Sequence, residues 1–169
     1  MIRKILVTGG NGFIGTHFCK YLDANGFDFR ATSHQESDFF MSDRLIIVDL
    51  QDQDRLGKLI KGYQPDAIVH MAAVASPVHG NIPEIYKVNV CGTENLLNAA
   101  ASNLSTDAKI ILISTAGVYG VQANEYLSED LAFNPVNHYS ISKMDTEVLS
   151  RQYSDTFKIQ IVRPFNIIG

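Results

Sequence analysis

Val7-Thr8-Gly9-Gly10-Asn11-Gly12-Phe13-Ile14-Gly15 is the stretch on which the reading of this chain turns. Its glycines at 9, 12 and 15 come directly after an apolar run, Lys4–Thr8. They open a segment with helical spacing, Phe13–Asn25, which Gly26 closes as a C-cap. A strand that turns on glycines into a helix suits a phosphate. Gly9 permits the tight turn, Gly12 lets the backbone approach a pyrophosphate, and Gly15 lets the helix pack close to the strand. The first amides of the helix supply the anion site. A bare glycine triplet reads as a flexible turn; the strand before it and the helix after it make this one a dinucleotide loop.

The same alternation continues outward. Short Ile/Leu/Val-rich runs predict strands at Asp28–Thr32, Leu45–Val48, Ala67–His70, Lys109–Ser114 and Ile159–Arg163 besides Lys4–Thr8. Helical spacing predicts Gln53–Lys61, Glu84–Ser102 and Asn137–Thr156 between them. Near-continuous apolar strands joined by helices cannot pair as hairpins. The expected fold class is α/β, a doubly wound, Rossmann-like parallel sheet with helices on both faces. Ligands of such sheets bind beyond the carboxyl ends of the strands, so the loops there are where function is sought.

Composition bounds the rest. The chain has 169 residues, 46% of them apolar and 19% charged, with a net charge of −4, which describes one soluble globular domain. Without a Lys/Arg stripe, nucleic acid and anionic membrane are not expected partners. No apolar run approaches the roughly 18 residues of a membrane span. Cys19 and Cys91 form no CxxC pair, so neither zinc nor a disulfide is suggested, and a reducing cytoplasm is the simplest location. The five histidines are scattered, and no metal site is expected.

The acid that would hold the 2′-hydroxyl of NAD at the end of the second strand is missing; Ser33 and His34 stand there. A carboxylate would repel a 2′-phosphate, so the expected cofactor is NAD(P) with NADP slightly favoured, and Ser33, His34 and Arg30 are candidate donors, although Arg30 inside the strand reads equally as pointing away and His34 as a solvated loop residue. Asp49-Leu50 after the third strand reads equally as an adenine contact and as a helix N-terminal acid. Val69-His70-Met71-Ala72-Ala73-Val74-Ala75 ends the fourth strand in small residues, as a strand end lying against a cofactor requires or as plain packing would. His70 reads as a satisfied group at the sheet end and not as a base.

Tyr139-Ser140-Ile141-Ser142-Lys143 puts a phenol and an ammonium on one helix face. A phenol with a pKa near 10 is a poor base at neutral pH, and bringing it to neutrality takes roughly 4 kcal/mol of preferential stabilisation of the phenolate. Lys143 and an oxidised nicotinamide ring can supply it. Alone, YxxxK is a solvated helix face. Its company is Ile110-Ile111-Leu112-Ile113-Ser114-Thr115, a strand from whose exit the Thr115 hydroxyl can hold a substrate oxygen beside Tyr139, although a strand-ending capping pair reads the same.

Taken together, TGGNGFIG, Asp49-Leu50, HMAA, NVCGT at Asn89–Thr93, STAGVYG, YSISK and RPFNIIG resemble the extended short-chain dehydrogenase/reductase family of nucleotide-sugar epimerases, dehydratases and reductases. The resemblance implies that Gly9, Gly12, Phe13 and Ile14 contact the dinucleotide phosphates, and Asp49 and Leu50 the adenine. It implies that Ala72, Ala73 and Asn89 line the cofactor. Thr115, Tyr139 and Lys143 would be the catalytic set, with Lys143 also on the nicotinamide ribose. Pro164 and Phe165 would lie near the nicotinamide amide, and Asn166 would meet the substrate.

Two departures matter. Ala116-Gly117 occupy the places where 4,6-dehydratases of the family carry an Asp-Glu pair, so that activity is disfavoured. The family also adds a C-terminal substrate domain of on the order of 100 residues or more. Residues 1–169 therefore read as the NAD(P)-binding domain alone, with the substrate domain absent from this chain. The implied activity is hydride transfer on a nucleotide-diphosphate sugar. A steroid- or dihydroflavonol-type ketone reductase and a non-catalytic dinucleotide-sensing module are the rivals. Glu84–Ser102 and Asn137–Thr156 resemble the helices through which family members form homodimers; Leu96, Leu97, Val148 and Leu149 there read equally as packing against the sheet.

Overall fold

Six parallel strands run in the spatial order β3-β2-β1-β4-β5-β6. They are β1 (Lys4–Thr8), β2 (Asp28–Ser33), β3 (Leu45–Ile47), β4 (Ala67–His70), β5 (Lys109–Ile113) and β6 (Lys158–Val162). The computed structural model describes residues 2–36, 42–74, 81–122 and 126–168; Ala75 and Gly169 lie outside them. The order reverses between β1 and β4, where Thr8 pairs in register with His70. That switch point is where a doubly wound sheet leaves its crevice.

Ile5, Leu6, Val7 and Thr8 are all buried, as an inner strand covered on both faces must be. Alternate side chains serve opposite layers. Leu6 packs with Ile68 and Ile110 against Leu56 and Ile60 of α2 (Gln53–Tyr63) and Leu96, Leu97 and Ala100 of α4 (Gly92–Asn103). Ile5 and Val7 pack with Phe29 and Val69 against Cys19 and Leu22 of α1 (Phe13–Ala24). Gly26, at φ +71°, ends α1 as expected, its N–H donating to the Asp23 carbonyl over 3.0 Å.

Several bounds differ from the sequence reading: β2 runs on to Ser33 and α2 to Tyr63, β5 stops at Ile113, β6 spans Lys158–Val162, and both long helices divide. The third strand stops at Ile47, although the Val48 N–H still donates to Ser33. The long helix over Glu84–Ser102 divides into α3 (Ile82–Tyr86), a π-turn over Lys87–Cys91, and α4. The break sits where the Asn89 side chain turns to partners outside the helix, Val74 and Ser142, while the Thr93 hydroxyl donates to the Asn89 carbonyl over 2.5 Å. Asn137–Thr156 resolves into α5 (His138–Ser150) and a tighter turn over Arg151–Tyr153, with Asn137 as the cap whose side chain accepts the Ser140 N–H. Leu96 and Leu97 are wholly buried against the sheet, so their role is packing; Val148 is exposed.

Candidate active site

Beyond β1 the backbone folds back so closely that only glycine fits. Gly9 takes φ +71°, and a β-carbon there would lie 2.7 Å from the backbone of Ala72 on β4's exit. The Gly12 N–H donates to the Gly9 carbonyl over 3.0 Å, which sets the first turn of α1. No side chain caps that helix, and its first turn carries no acid. Its leading amides are left for an anion.

This loop forms one wall of a cleft of about 450 Å³, a size within the range of small-molecule sites. Gly9, Gly12, Ser33, His34, Asp49, Leu50, Ala72 and Ala73, singled out in the sequence from four separate loops, all line it. Phe13 and Ile14 do not; Phe13 is half exposed and packs edge-on against His17. The cleft adds Gln51, Glu84, Lys87 and Val88, for which the sequence carried no signal.

At β2 the structure removes two of the three donors considered for a 2′-phosphate. The Ser33 hydroxyl donates to the Gln35 carbonyl over 2.7 Å, which commits its proton. Arg30 turns away from the cleft, its guanidinium 5.8 Å from the centre of the Tyr63 ring. His34 alone remains at the cleft, exposed. Asp49 is not a helix cap. Asp52 fills that role by accepting the Arg55 N–H, while the Asp49 side chain accepts the Gln51 N–H at the cleft's edge and its carbonyl the Asp52 N–H. Leu50 is buried beside Gly92, where any β-carbon would come within 2.9 Å of it.

His70 is fully satisfied. Thr8 donates to Nδ1 over 2.6 Å, and Nε2 donates to Thr93 over 2.8 Å, since the Thr93 proton is already given to Asn89. Burial, with the charge of Lys143 behind it, pushes its pKa down to about 3. Asn89 is buried and holds two neighbours at once. Its carbonyl accepts the Val74 N–H over 2.8 Å, and its amide donates to Ser142 over 2.9 Å, tying the exit of β4 to α5.

On α5, Tyr139 and Lys143 stand one turn apart, with Lys143 only 5% exposed. Burial draws its ammonium down to about 8, and Glu147 opposes the fall. Burial also raises the Tyr139 phenol above its ordinary value, so the chain alone does not make it a base. Thr115 opens the turn after β5, accepting the Gly117 N–H over 3.1 Å. A β-carbon at Gly117 would lie 2.5 Å from Ser140 Oγ and 3.3 Å from Thr115 Oγ1, so this glycine brings Thr115 against the start of α5. Pro164 accepts the Ala116 N–H over 2.9 Å, and Asn166 beyond it is exposed. Glu147 and Arg163 escaped the sequence reading. Glu147, one turn after Lys143 on the same face, was the signal available.

The model of the NAD dependent epimerase/dehydratase family matches residues 5–169. The chain belongs to that family. Its 3-2-1-4-5-6 sheet is the fold that the motif resemblance implied. A family relative, GDP-6-deoxy-D-talose 4-dehydrogenase of Aggregatibacter actinomycetemcomitans, is 36% identical over 167 residues, covering 98% of this chain and 53% of that protein. UDP-glucose 4-epimerase of Mycoplasma genitalium is 29% identical, again over 98% and 53%. Among solved structures, UDP-glucose 4-epimerase from Brucella ovis in complex with NAD superposes with a TM-score of 0.89 at 29% identity, over 97% of this chain and 52% of that one. The chain spans about half the length of the relatives it matches. For a family member, the uncapped start of α1 and the Gly9 cradle fit a dinucleotide pyrophosphate. No helix among the described residues is long and apolar enough to cross a membrane.

Proposed function

We propose that this chain is the dinucleotide-binding and acid–base half of an enzyme that moves hydride at the 4-position of a nucleotide-diphosphate sugar. The sugar-recognising residues would come from a further C-terminal domain. The observation that carries the reading is the buried Lys143 one turn from Tyr139 on the helix that packs against Thr115's turn. The relatives named above support the substrate class, since both names give the 4-position of a nucleotide-linked sugar.

Gly9, Gly12 and the first amides of α1, those of Phe13 and Ile14, hold the pyrophosphate. Ala72, Ala73 and Asn89 line the path to Lys143 and Pro164, and Asp49 and Leu50 bound the adenine. When bound, the oxidised nicotinamide supplies the hydride acceptor and a positive charge. Thr115 orients the reacting hydroxyl, and Tyr139 takes its proton in the oxidative direction and returns it in the reductive one. Lys143 keeps the ionised form of Tyr139 stable once that site is filled. Asn166 lies at the substrate side. We take the cofactor as NAD, because Arg30 and Ser33 are committed elsewhere and the Brucella ovis neighbour was solved with NAD. Pairing of two chains through α4 and α5 belongs to the same reading, with exposed Val148 as its apolar support.

Parallel fluorescence titrations of this chain with NADH and NADPH test the reading. NADH should bind, and bind more tightly than NADPH. Binding of neither would remove the cofactor assignment, and tighter NADPH would restore His34 as a phosphate donor.

A further inference from the structure

Every fourth residue of α5 from Tyr139 carries an ionisable group, Tyr139, Lys143 and then Glu147, the last lying behind the lysine in the interior. Glu147 is 2% exposed, and both of its oxygens are held. The Ser114 hydroxyl at the end of β5 donates to Oε1. Arg163, just past β6, donates from Nε over 3.0 Å and from Nη2 over 2.7 Å. Arg163 is fixed in turn by Tyr119, whose hydroxyl accepts from Nη1 over 2.7 Å, and by the Glu129 carbonyl at 3.1 Å. Three elements thus converge on one carboxylate. A buried ion pair is seldom more stable than apolar residues of the same volume, so stability alone accounts poorly for the arrangement.

What the carboxylate faces gives a better account. Ser114, Lys143, Glu147 and His70 border one small internal gap. Around the Lys143 ammonium, His70 on β4 is held neutral, the Tyr139 phenol is held protonated, and Arg163 beyond β6 is cationic. Glu147 is the anion of the set. We propose that Glu147 is a positioning residue that keeps Lys143 protonated, with Ser114 and Arg163 fixing where its negative charge sits. The proposal gains its meaning from the reading of Lys143 as the cation beside Tyr139, but its readout is the titration of Lys143 itself.

The test is a carbon-13 NMR titration of lysine-labelled chain, with the Lys143 resonance identified by its loss in Lys143→Arg. Glu147→Gln should lower the Lys143 midpoint by about one pH unit or more, and Arg163→Gln should raise it. A purely structural pair would shift both variants alike or not at all, and either result overturns the proposal. Where Glu147→Gln fails to fold because Arg163 is left unpaired, the double variant Glu147→Gln/Arg163→Gln removes both charges together. A Lys143 midpoint below the parent's then supports the proposal, and one at or above it overturns it. If Lys143 shifts as described while the longer enzyme with Tyr139→Phe still turns over, the charge assignment stands and the acid–base reading falls.

Discussion

A β-carbon on Gly15 would lie 2.1 Å from the carbonyl oxygen of Gly9. No rotamer relieves that overlap, because the backbone fixes the β-carbon and its partner is a backbone oxygen. Gly15→Ala must push α1 away from the turn that shapes the phosphate cradle, at a cost of about 1–3 kcal/mol. Urea unfolding should report this loss together with weakened NADH binding. Gly62→Ala is the control, since nothing lies within 4 Å of its β-carbon, and it should be neutral or stabilising by up to about 1 kcal/mol. Equal behaviour of the two variants would mean that the close approach at Gly15 carries no cost.

On the function proposed above, Tyr139→Phe should cut turnover by about 10²–10⁴-fold, the ordinary worth of a placed acid–base group. Cofactor affinity should change little, because the ring stays. Turnover within a few-fold of the parent's would end the acid–base role.

His70 gives the fold a particular response to acid. Burial, with Lys143, lowers it from 6.5 to about 3, so above pH 6.5 the imidazole is neutral in both folded and unfolded chains. As the pH falls below 6.5, the unfolded chain takes up a proton that the folded one refuses until about pH 3. Stability therefore declines through that window, by about 2 kcal/mol between pH 7 and pH 5. Urea midpoints at the two pH values should differ clearly in the parent and much less in His70→Gln. Parallel midpoints in both proteins would count against a buried neutral imidazole.

What the sequence makes legible here is local. The strands and the glycine loop depend on short apolar runs and on turn chemistry within a few residues, and β1, β4 and α1 stand where those patterns put them. The π-turn at Lys87–Cys91 was not legible, because it follows from Asn89 reaching Val74 and Ser142, the latter 53 positions away. The direction of Arg30 depends on the parity of β2 and on Tyr63 lying beneath it. Arg163 meets Glu147 only because β6 joins the sheet beside β5, where the Ser114 N–H donates to the Val162 carbonyl. Pairings made by topology leave no mark on neighbouring residues.

Asn89 makes the sharpest case of such a pairing. Its side chain supplies the acceptor for the Val74 N–H and the donor for the Ser142 hydroxyl, which passes its own proton to the Tyr139 carbonyl over 2.7 Å. Asn89→Leu fills the space but leaves the Val74 N–H unpaired, a loss of about 1–3 kcal/mol. Ser142→Ala removes only one branch and keeps the Val74 link. Thermal unfolding should therefore rank Asn89→Leu well below Ser142→Ala, and NADH titration should show the same order, because the exit of β4 forms a wall of the cleft. If Ser142→Ala proved the more damaging, the contact with α5 rather than the hold on Val74 would be the part of Asn89 that matters.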